Sequence, residues 1–229
     1  MDTELTSRLE RKFGSVFQSG LGHCTRTKAH LCLLHDKKPI FRPKRPVPRA
    51  GPPVVDRELE IFQQDGVLQP VNHSTGATPA VEAKKRNGKV QLYADFSAGL
   101  KAILGTHQYP LPVPDDLFAK LNGGTYFGQL ELYDAYLQVQ LDEDSRKLLT
   151  YNTQHGLFYF SRLYFGVKTA PTFLQQILDI MFTETEGAAP YSDDIIITGS
   201  NPDNLPQRLE IAHISGSAFS NGTISYQND

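Results

Sequence analysis

The stretch APYSDDIIITGS, residues 189–200, sets two carboxylates, Asp193 and Asp194, at the mouth of a run of three isoleucines. A short β-branched run bounded by turn residues reads as a buried strand. Residues 189–191 supply a partner strand, with the chain turning through Ser192 and Asp193. Adjacent like charges repel, and apolar surroundings raise the cost of keeping both ionised. Two readings follow. The pair is a surface turn, where Asp is common, or a cation sits between the carboxylates and is the reason for them.

Upstream, TYFGQLELYDAY (125–136) begins as a second strand. Its alternation puts Phe127, Gln129 and Glu131 on one face and Tyr126, Leu130 and Leu132 on the other. Glu131 ends that strand just before the chain turns, which makes it the candidate partner for Asp193 and Asp194. Acids at a strand end, joined by one from a neighbouring strand, are what a two-metal phosphoryl-transfer site requires. Mg²⁺ prefers oxygen ligands and usually takes one or two carboxylates plus substrate phosphates. Two such ions, roughly 3.5–4 Å apart, clamp the attacking and leaving oxygens of an in-line displacement.

The totals bound the rest. With 229 residues the chain can build one large domain or two small ones. A formal net charge of −2 shows no bulk basic footprint, so any nucleic-acid surface must be local. Two cysteines, Cys24 and Cys32, lack metal-type spacing and form no disulfide framework. That usage suits a reducing compartment, so an intracellular location is expected, cytoplasmic with the nucleus as the alternative. The N-terminus is too polar for a signal peptide, and no apolar run reaches membrane-spanning length.

Residues 1–20 read as a short polar helix with Leu5, Leu9, Phe13 and Phe17 on one face. The arm KKPIFRPKRPVPR (37–49) carries six cations, four prolines and no acid. It is expected to be extended, either as a solvated linker or as an arm facing nucleic acid. Residues 54–71 read as helical to about Asp65, with Gly66 as C-cap. VEAKKRNGKVQLYADF (81–96) is a hairpin turning at Asn87-Gly88, whose lysines either keep an edge strand soluble or hold a triphosphate. Residues 148–166 read as a second hairpin turning near His155-Gly156. TAPTFLQQILDIMF (169–182) is a helix with Phe173, Ile177, Ile180 and Met181 as its apolar stripe. The organisation expected is an N-terminal segment (1–69), an α+β domain with helices packed on one face of an antiparallel sheet (70–200), and a disordered tail (201–229), rich in Ser, Asn and Gly.

PYSDDIIITGS resembles the Tyr-x-Asp-Asp hairpin of reverse transcriptases. QYPLPVPDDLFAKLNGGTYF, then LELYDAYLQVQLDEDSRKLLTYNTQHGLFYFSRLYFGVKTAPTFLQQILD, precede it in the order of that family, best matched by the polymerase region of gypsy-type LTR retrotransposons. KPIFRPKRPVP and LEIFQQDGVLQPV resemble the segment before it, so the likeness runs from about Leu9 to Ser200. It implies the palm and fingers of a right-handed polymerase. It further implies RNA-directed DNA synthesis with Mg²⁺, or alternatively Mn²⁺, on an RNA or DNA template with primer and deoxynucleoside triphosphates. Asp193 and Asp194 match the paired catalytic carboxylates. Glu131 falls where the family has its first catalytic aspartate, and Leu132 where a backbone carbonyl also touches metal. Asp134 and Ala135 match positions whose amides face the incoming triphosphate. Tyr136 matches the bulky side chain under the sugar. Phe165 and Gly166 match the loop beside the nucleotide, and Lys85 a triphosphate-binding lysine.

Three departures from the family pattern point to an impaired or inactive enzyme. Glu131 replaces the aspartate, Gln91 stands where the family has a phosphate-clamping arginine, and Tyr164 replaces the proline of Leu-Pro-Phe-Gly. The resemblance also stops before any thumb, RNase H or integrase region. The competing expectation is a decayed palm-and-fingers relic that at most binds nucleic acid or nucleotide weakly.

Overall fold

The structure is a computed structural model that describes residues 3–14, 16–17, 20–45, 52–84, 90–96, 99–215, 219 and 222–225. The chain divides into two compact units. The first comprises residues 1–27, 107–139 and 171–229, and the second residues 28–106 and 140–170.

The first unit is built on a four-stranded antiparallel sheet. Its strands are β5 (Tyr126–Leu132), β9 (Ala188–Tyr191), β10 (Asp194–Gly199) and β11 (Gly222–Ser225), in the order β11-β5-β10-β9. The isoleucine run behaves as a central strand should. Ile195 and Ile197 are fully covered, while Leu130 and Leu132 of β5 close the same core. Helices α1 (Thr3–Lys12), α4 (Pro114–Leu121), α5 (Ala135–Gln138), α7 (Ala170–Phe182) and α8 (Asn204–Ser215) accompany the sheet. Leu5 and Leu9 of α1 are buried, as the spacing predicts.

Helix α8 corrects the expectation of a disordered tail, because it occupies 204–215. Leu205, Leu209, Ala212 and His213 form its buried face. The sequence hides this face, since a histidine completes it and Pro206 sits inside it. A proline is tolerated in the first turn, where its missing N–H has no helical partner. Asn201 caps the start, its Oδ1 accepting from the amides of Asp203 (3.1 Å) and Asn204 (2.9 Å). The helix sits hard against the sheet: a Cβ at Gly199 would lie 2.7 Å from the Leu205 nitrogen. Only glycine allows so tight a passage from β10 into α8.

Helix α7 buries Leu174, Ile177, Leu178, Met181 and Phe182. Ile180, expected in that stripe, is 60% exposed. The apolar face is therefore rotated toward Leu174 and Leu178.

The second unit holds β2 (Leu68–Val71), β3 (Thr78–Lys84), β4 (Val90–Ala94), β7 (Thr150–Thr153) and β8 (Gly156–Phe160), in the order β2-β8-β7-β3-β4. Both expected hairpins form, β3 with β4 and β7 with β8. The Asn87-Gly88 turn itself lies outside the described residues. One pair, β3 with β7, is parallel, so this sheet is mixed rather than antiparallel throughout. Helices α2 (Pro52–Gln64), α3 (Leu100–Ile103) and α6 (Glu143–Leu148) belong here. So do β1 (Lys28–Ala29) and β6 (Gln140–Leu141), which pair in parallel. Gly66, at φ 67°, ends α2 as the C-cap reading requires.

Tyr164 finds its explanation in this unit. It is 1% exposed, with ring centroids 4.4 Å from Phe160, 6.2 Å from Phe96 and 6.4 Å from Phe62. An aromatic core has taken the place of the family's proline. Over its described residues, 37–45, the arm forms no helix and is strapped to the unit; residues 46–49 lie outside the described residues. Arg42 donates its amide to Ala77 (2.9 Å), Asn152 donates to the Arg42 carbonyl (3.0 Å), and Arg45 pairs with Asp95 at 2.7 Å.

Candidate active site

Glu131 and Asp194 are direct cross-strand partners on β5 and β10. The Leu132 amide donates to the Asp193 carbonyl at 2.9 Å, which makes the next pair, Leu132 with Asp193, a hydrogen-bonded one. Pairs alternate in an antiparallel ladder, so Glu131 and Asp194 occupy a non-hydrogen-bonded pair, where side chains approach most closely. Like charges directly opposite destabilise a sheet. A fold that keeps them there places two carboxylate side chains directly opposite each other on one face of the sheet.

The hairpin joining β9 and β10 has a two-residue loop, Ser192-Asp193, closed by the Tyr191–Asp194 pair. Ser192 has φ 59°, the conformation a primed hairpin turn needs at its first central residue and one that L-residues other than glycine rarely adopt. Gln175, on α7 and fully buried, holds this turn with both ends of its amide. Its Nε2 donates to the Pro190 carbonyl at 2.9 Å, and its Oε1 accepts from the Ser192 amide at 3.2 Å. The strained turn that carries Asp193 is thus fixed from behind by one side chain.

Across from it, Asp134 precedes α5 in the left-handed region (φ 48°, ψ 43°). Two of the three non-glycine residues with positive φ among those described, Asp134 and Ser192, therefore belong to this end of the first unit. Strained backbone of this kind is retained where neighbours over-determine it. Here Gln138 supports the α5 turn by donating from Nε2 to the Tyr133 carbonyl at 2.8 Å. Tyr136 lies on α5, and its hydroxyl meets the Ser192 hydroxyl at 3.4 Å. Ala135, the first residue of α5, is buried.

The structure thus brings Glu131, Leu132, Asp134, Ala135, Tyr136, Asp193 and Asp194 to one end of the first unit. Gln91, Phe165 and Gly166 belong to the second unit. Gln91 pairs with Ala83 in the β3–β4 hairpin. Phe165 meets Tyr93 edge-on at 5.1 Å, and Gly166 adopts φ 84°. Lys85 lies outside the described residues. Among the described residues, no three His, Cys, Asp or Glu side chains gather into a group that could hold a metal ion by themselves. The Glu131–Asp194 face fits the other kind of site, in which one or two carboxylates share a hard cation with substrate phosphates.

Sequence reasoning missed Gln129 and Gln175. Gln129 donates from Nε2 to Asp194 Oδ1 at 2.8 Å. A signal existed for each: Gln129 shares the face of Glu131 two residues earlier, and Gln175 interrupts an apolar helix between Leu174 and Leu178.

An antiparallel sheet that presents acids at a strained hairpin, accompanied by a separate unit of β-hairpins, is the architecture of polymerase palm and fingers. The foamy virus protease–reverse transcriptase crystal structure has the same fold, with a TM-score of 0.84 at 19% identity over 94% of this chain and 29% of that one. The foamy viral enzyme in complex with RNA/DNA hybrid gives 0.85 at 14% identity, over 96% and 30%. The profile of the reverse transcriptase (RNA-dependent DNA polymerase) family matches residues 77–217, and the chain belongs to that family. An uncharacterized protein of Caenorhabditis elegans is 41% identical over 87% of this chain and 16% of its own length. The retrovirus-related Pol polyprotein from transposon 412 of Drosophila melanogaster is 28% identical over 77% of this chain and 15% of its own. The chain therefore spans about a sixth of the length of these relatives.

Proposed function

We propose that this chain is the RNA-directed DNA polymerase domain of a gypsy-type Pol polyprotein, with nucleotide incorporation impaired by its own substitutions. The observation that carries the reading is the cross-strand pairing of Glu131 with Asp194 beside the strained turn bearing Asp193. In this reading the primer 3′-hydroxyl attacks the α-phosphate of a deoxynucleoside triphosphate. A new P–O bond forms, the bond to pyrophosphate breaks, and the hydroxyl proton passes to solvent. Glu131 and Asp194, facing each other across the ladder, would hold Mg²⁺ together with substrate phosphates, and the family resemblance adds Asp193 and the Leu132 carbonyl to that set. When bound, Mg²⁺ supplies charge stabilisation at the phosphate and lowers the pKa of a coordinated hydroxyl.

The protein's own part is positioning. Asp134 and Ala135 present backbone amides to the triphosphate from the start of α5. Tyr136 occupies the space a ribose 2′-hydroxyl would need. Lys85, Gln91, Phe165 and Gly166, of the second unit, match nucleotide-contacting positions of the family by resemblance. The bound polymer is an RNA or DNA template with its primer; foamy viral relatives of the same fold were solved with RNA/DNA hybrid and with double-stranded DNA.

Glu131 is one methylene longer than the aspartate the resemblance calls for, and a displacement of about 1 Å in such a site can cost 10²-fold in rate. Gln91 lacks the charge and planar fork with which arginine grips phosphate. These two residues favour the second reading as well, a relic that only binds primer–template. Primer extension on an RNA template separates the two. Trace extension by the chain as it stands, rising when Glu131→Asp and Gln91→Arg are combined, supports an impaired polymerase. Binding of primer–template with no extension by the combined variant identifies the relic.

A further inference from the structure

We propose that Gln129 is a positioning residue for Asp194, an inference that rests on the polymerase reading of the acidic edge. The β5–β10 register aligns Glu131 with Asp194 and Gln129 with Ile196, so Gln129, Glu131 and Asp194 share one face of the sheet. Gln129 reaches diagonally across the ladder, a contact open to long side chains, and donates from Nε2 to Asp194 Oδ1 at 2.8 Å. A carboxylate accepts only, so the nitrogen end of the amide must face it.

Three consequences follow from that one bond. It fixes the side-chain rotation of Asp194. It occupies Oδ1 and leaves Oδ2 for a ligand. It also offsets part of the repulsion between Asp194 and Glu131 with a dipole rather than a charge. A lysine or arginine there would also donate, but would compete with any cation arriving at the same carboxylate. A neutral donor holds the acid without displacing the ion.

The test is Mn²⁺ binding to the full chain, followed by water-proton relaxation, for wild type, Gln129→Met, Asp194→Asn and the double variant. Met keeps the length and flexibility of Gln and removes the donor. Gln129→Leu is measured alongside, so that a packing defect peculiar to one side chain does not decide the outcome. We expect Gln129→Met and Gln129→Leu to weaken Mn²⁺ binding about 3- to 10-fold, the effect of losing one ordinary intramolecular hydrogen bond. In the Asp194→Asn background the same changes should have no further effect, since residues acting through one contact are not additive. Wild-type affinity in both Gln129 variants, alongside weakened binding in Asp194→Asn, overturns the role of Gln129 and leaves the polymerase reading standing. An equal loss in both backgrounds also overturns it, because the effect would not pass through Asp194. Unchanged binding in Asp194→Asn itself overturns the reading of the acidic edge, and the inference with it.

Discussion

Glu131 and Asp194 oppose each other at a non-hydrogen-bonded position of β5 and β10, the closest placement an antiparallel sheet gives two side chains. On the proposed polymerase reading, stability and function conflict there. Without a cation, Glu131→Gln should stabilise the chain, by roughly 0.2–1 kcal/mol as for other like-charged cross-strand pairs. Added Mg²⁺ should raise the melting temperature of the wild type and leave that of Glu131→Gln nearly unchanged. Thermal unfolding with and without Mg²⁺ checks both halves, and a wild type indifferent to the ion would count against the site.

Gln175 is the support on which the turn depends. Gln175→Leu leaves the Pro190 carbonyl and the Ser192 amide without their buried partner, at a cost of about 2 kcal/mol. Ser192 should then relax from its positive φ. Denaturant unfolding should show the loss of stability, and hydrogen exchange should show faster exchange confined to the 190–194 hairpin. Equal exchange in the two proteins would show that the turn holds itself.

Tyr136 is expected to select the sugar by occupancy. In the Glu131→Asp, Gln91→Arg background, Tyr136→Val should admit ribonucleotides while leaving deoxynucleotide incorporation within a few-fold. The measurement is the ratio of incorporation efficiencies for matched ribo- and deoxynucleotides. An unchanged ratio would assign Tyr136 to support of the hairpin through Ser192 alone.

His213 makes the first unit sensitive to acid. Burial lowers its pKa, opposed in part by the hydrogen bond from Nδ1 to the Leu209 carbonyl and by nearby Glu210. Its ring stacks on Phe13 at 5.0 Å and lies 5.4 Å from Phe17, which joins the N-terminal segment to α8. With the folded pKa below the unfolded one, the unfolded chain binds the proton first. The stability due to a neutral His213 is therefore complete above about pH 6.5 and is lost as pH falls through the folded value. His213→Phe should flatten the pH dependence of unfolding in that window, while a slope equal to wild type would place the acid sensitivity elsewhere.

Period-two alternation and turn chemistry make the acidic edge legible in the sequence: Glu131 at the end of one strand and Asp193-Asp194 at a hairpin are both local patterns. The same holds for the β3–β4 and β7–β8 hairpins and for the end of α2 at Gly66. What stayed hidden depends on distant partners. Gln175 reads as a defect in an apolar helix until Pro190 and Ser192 are placed against it. The parallel β3–β7 pair joins strands far apart in the chain, with no local signal to announce it. Helix α8 was obscured because a buried histidine completes its apolar face, and a buried histidine is legible only once Phe13 is seen to cover it. Tyr164 departs from the family's proline, and its place in an aromatic core is visible only once Phe62, Phe96 and Phe160 surround it.

The most direct test is single-turnover incorporation of one deoxynucleotide on an RNA template, with the Glu131→Asp, Gln91→Arg chain as the parent. The account predicts incorporation at least about tenfold faster than by the unmodified chain, since one change restores positioning and the other a phosphate grip. It predicts that adding Asp194→Asn to that parent lowers the rate about 10²-fold or more, as removal of a carboxylate that positions the reacting groups should. A rate indifferent to Asp194→Asn would contradict the claim that the β5–β10 acidic edge is where this chain performs its chemistry.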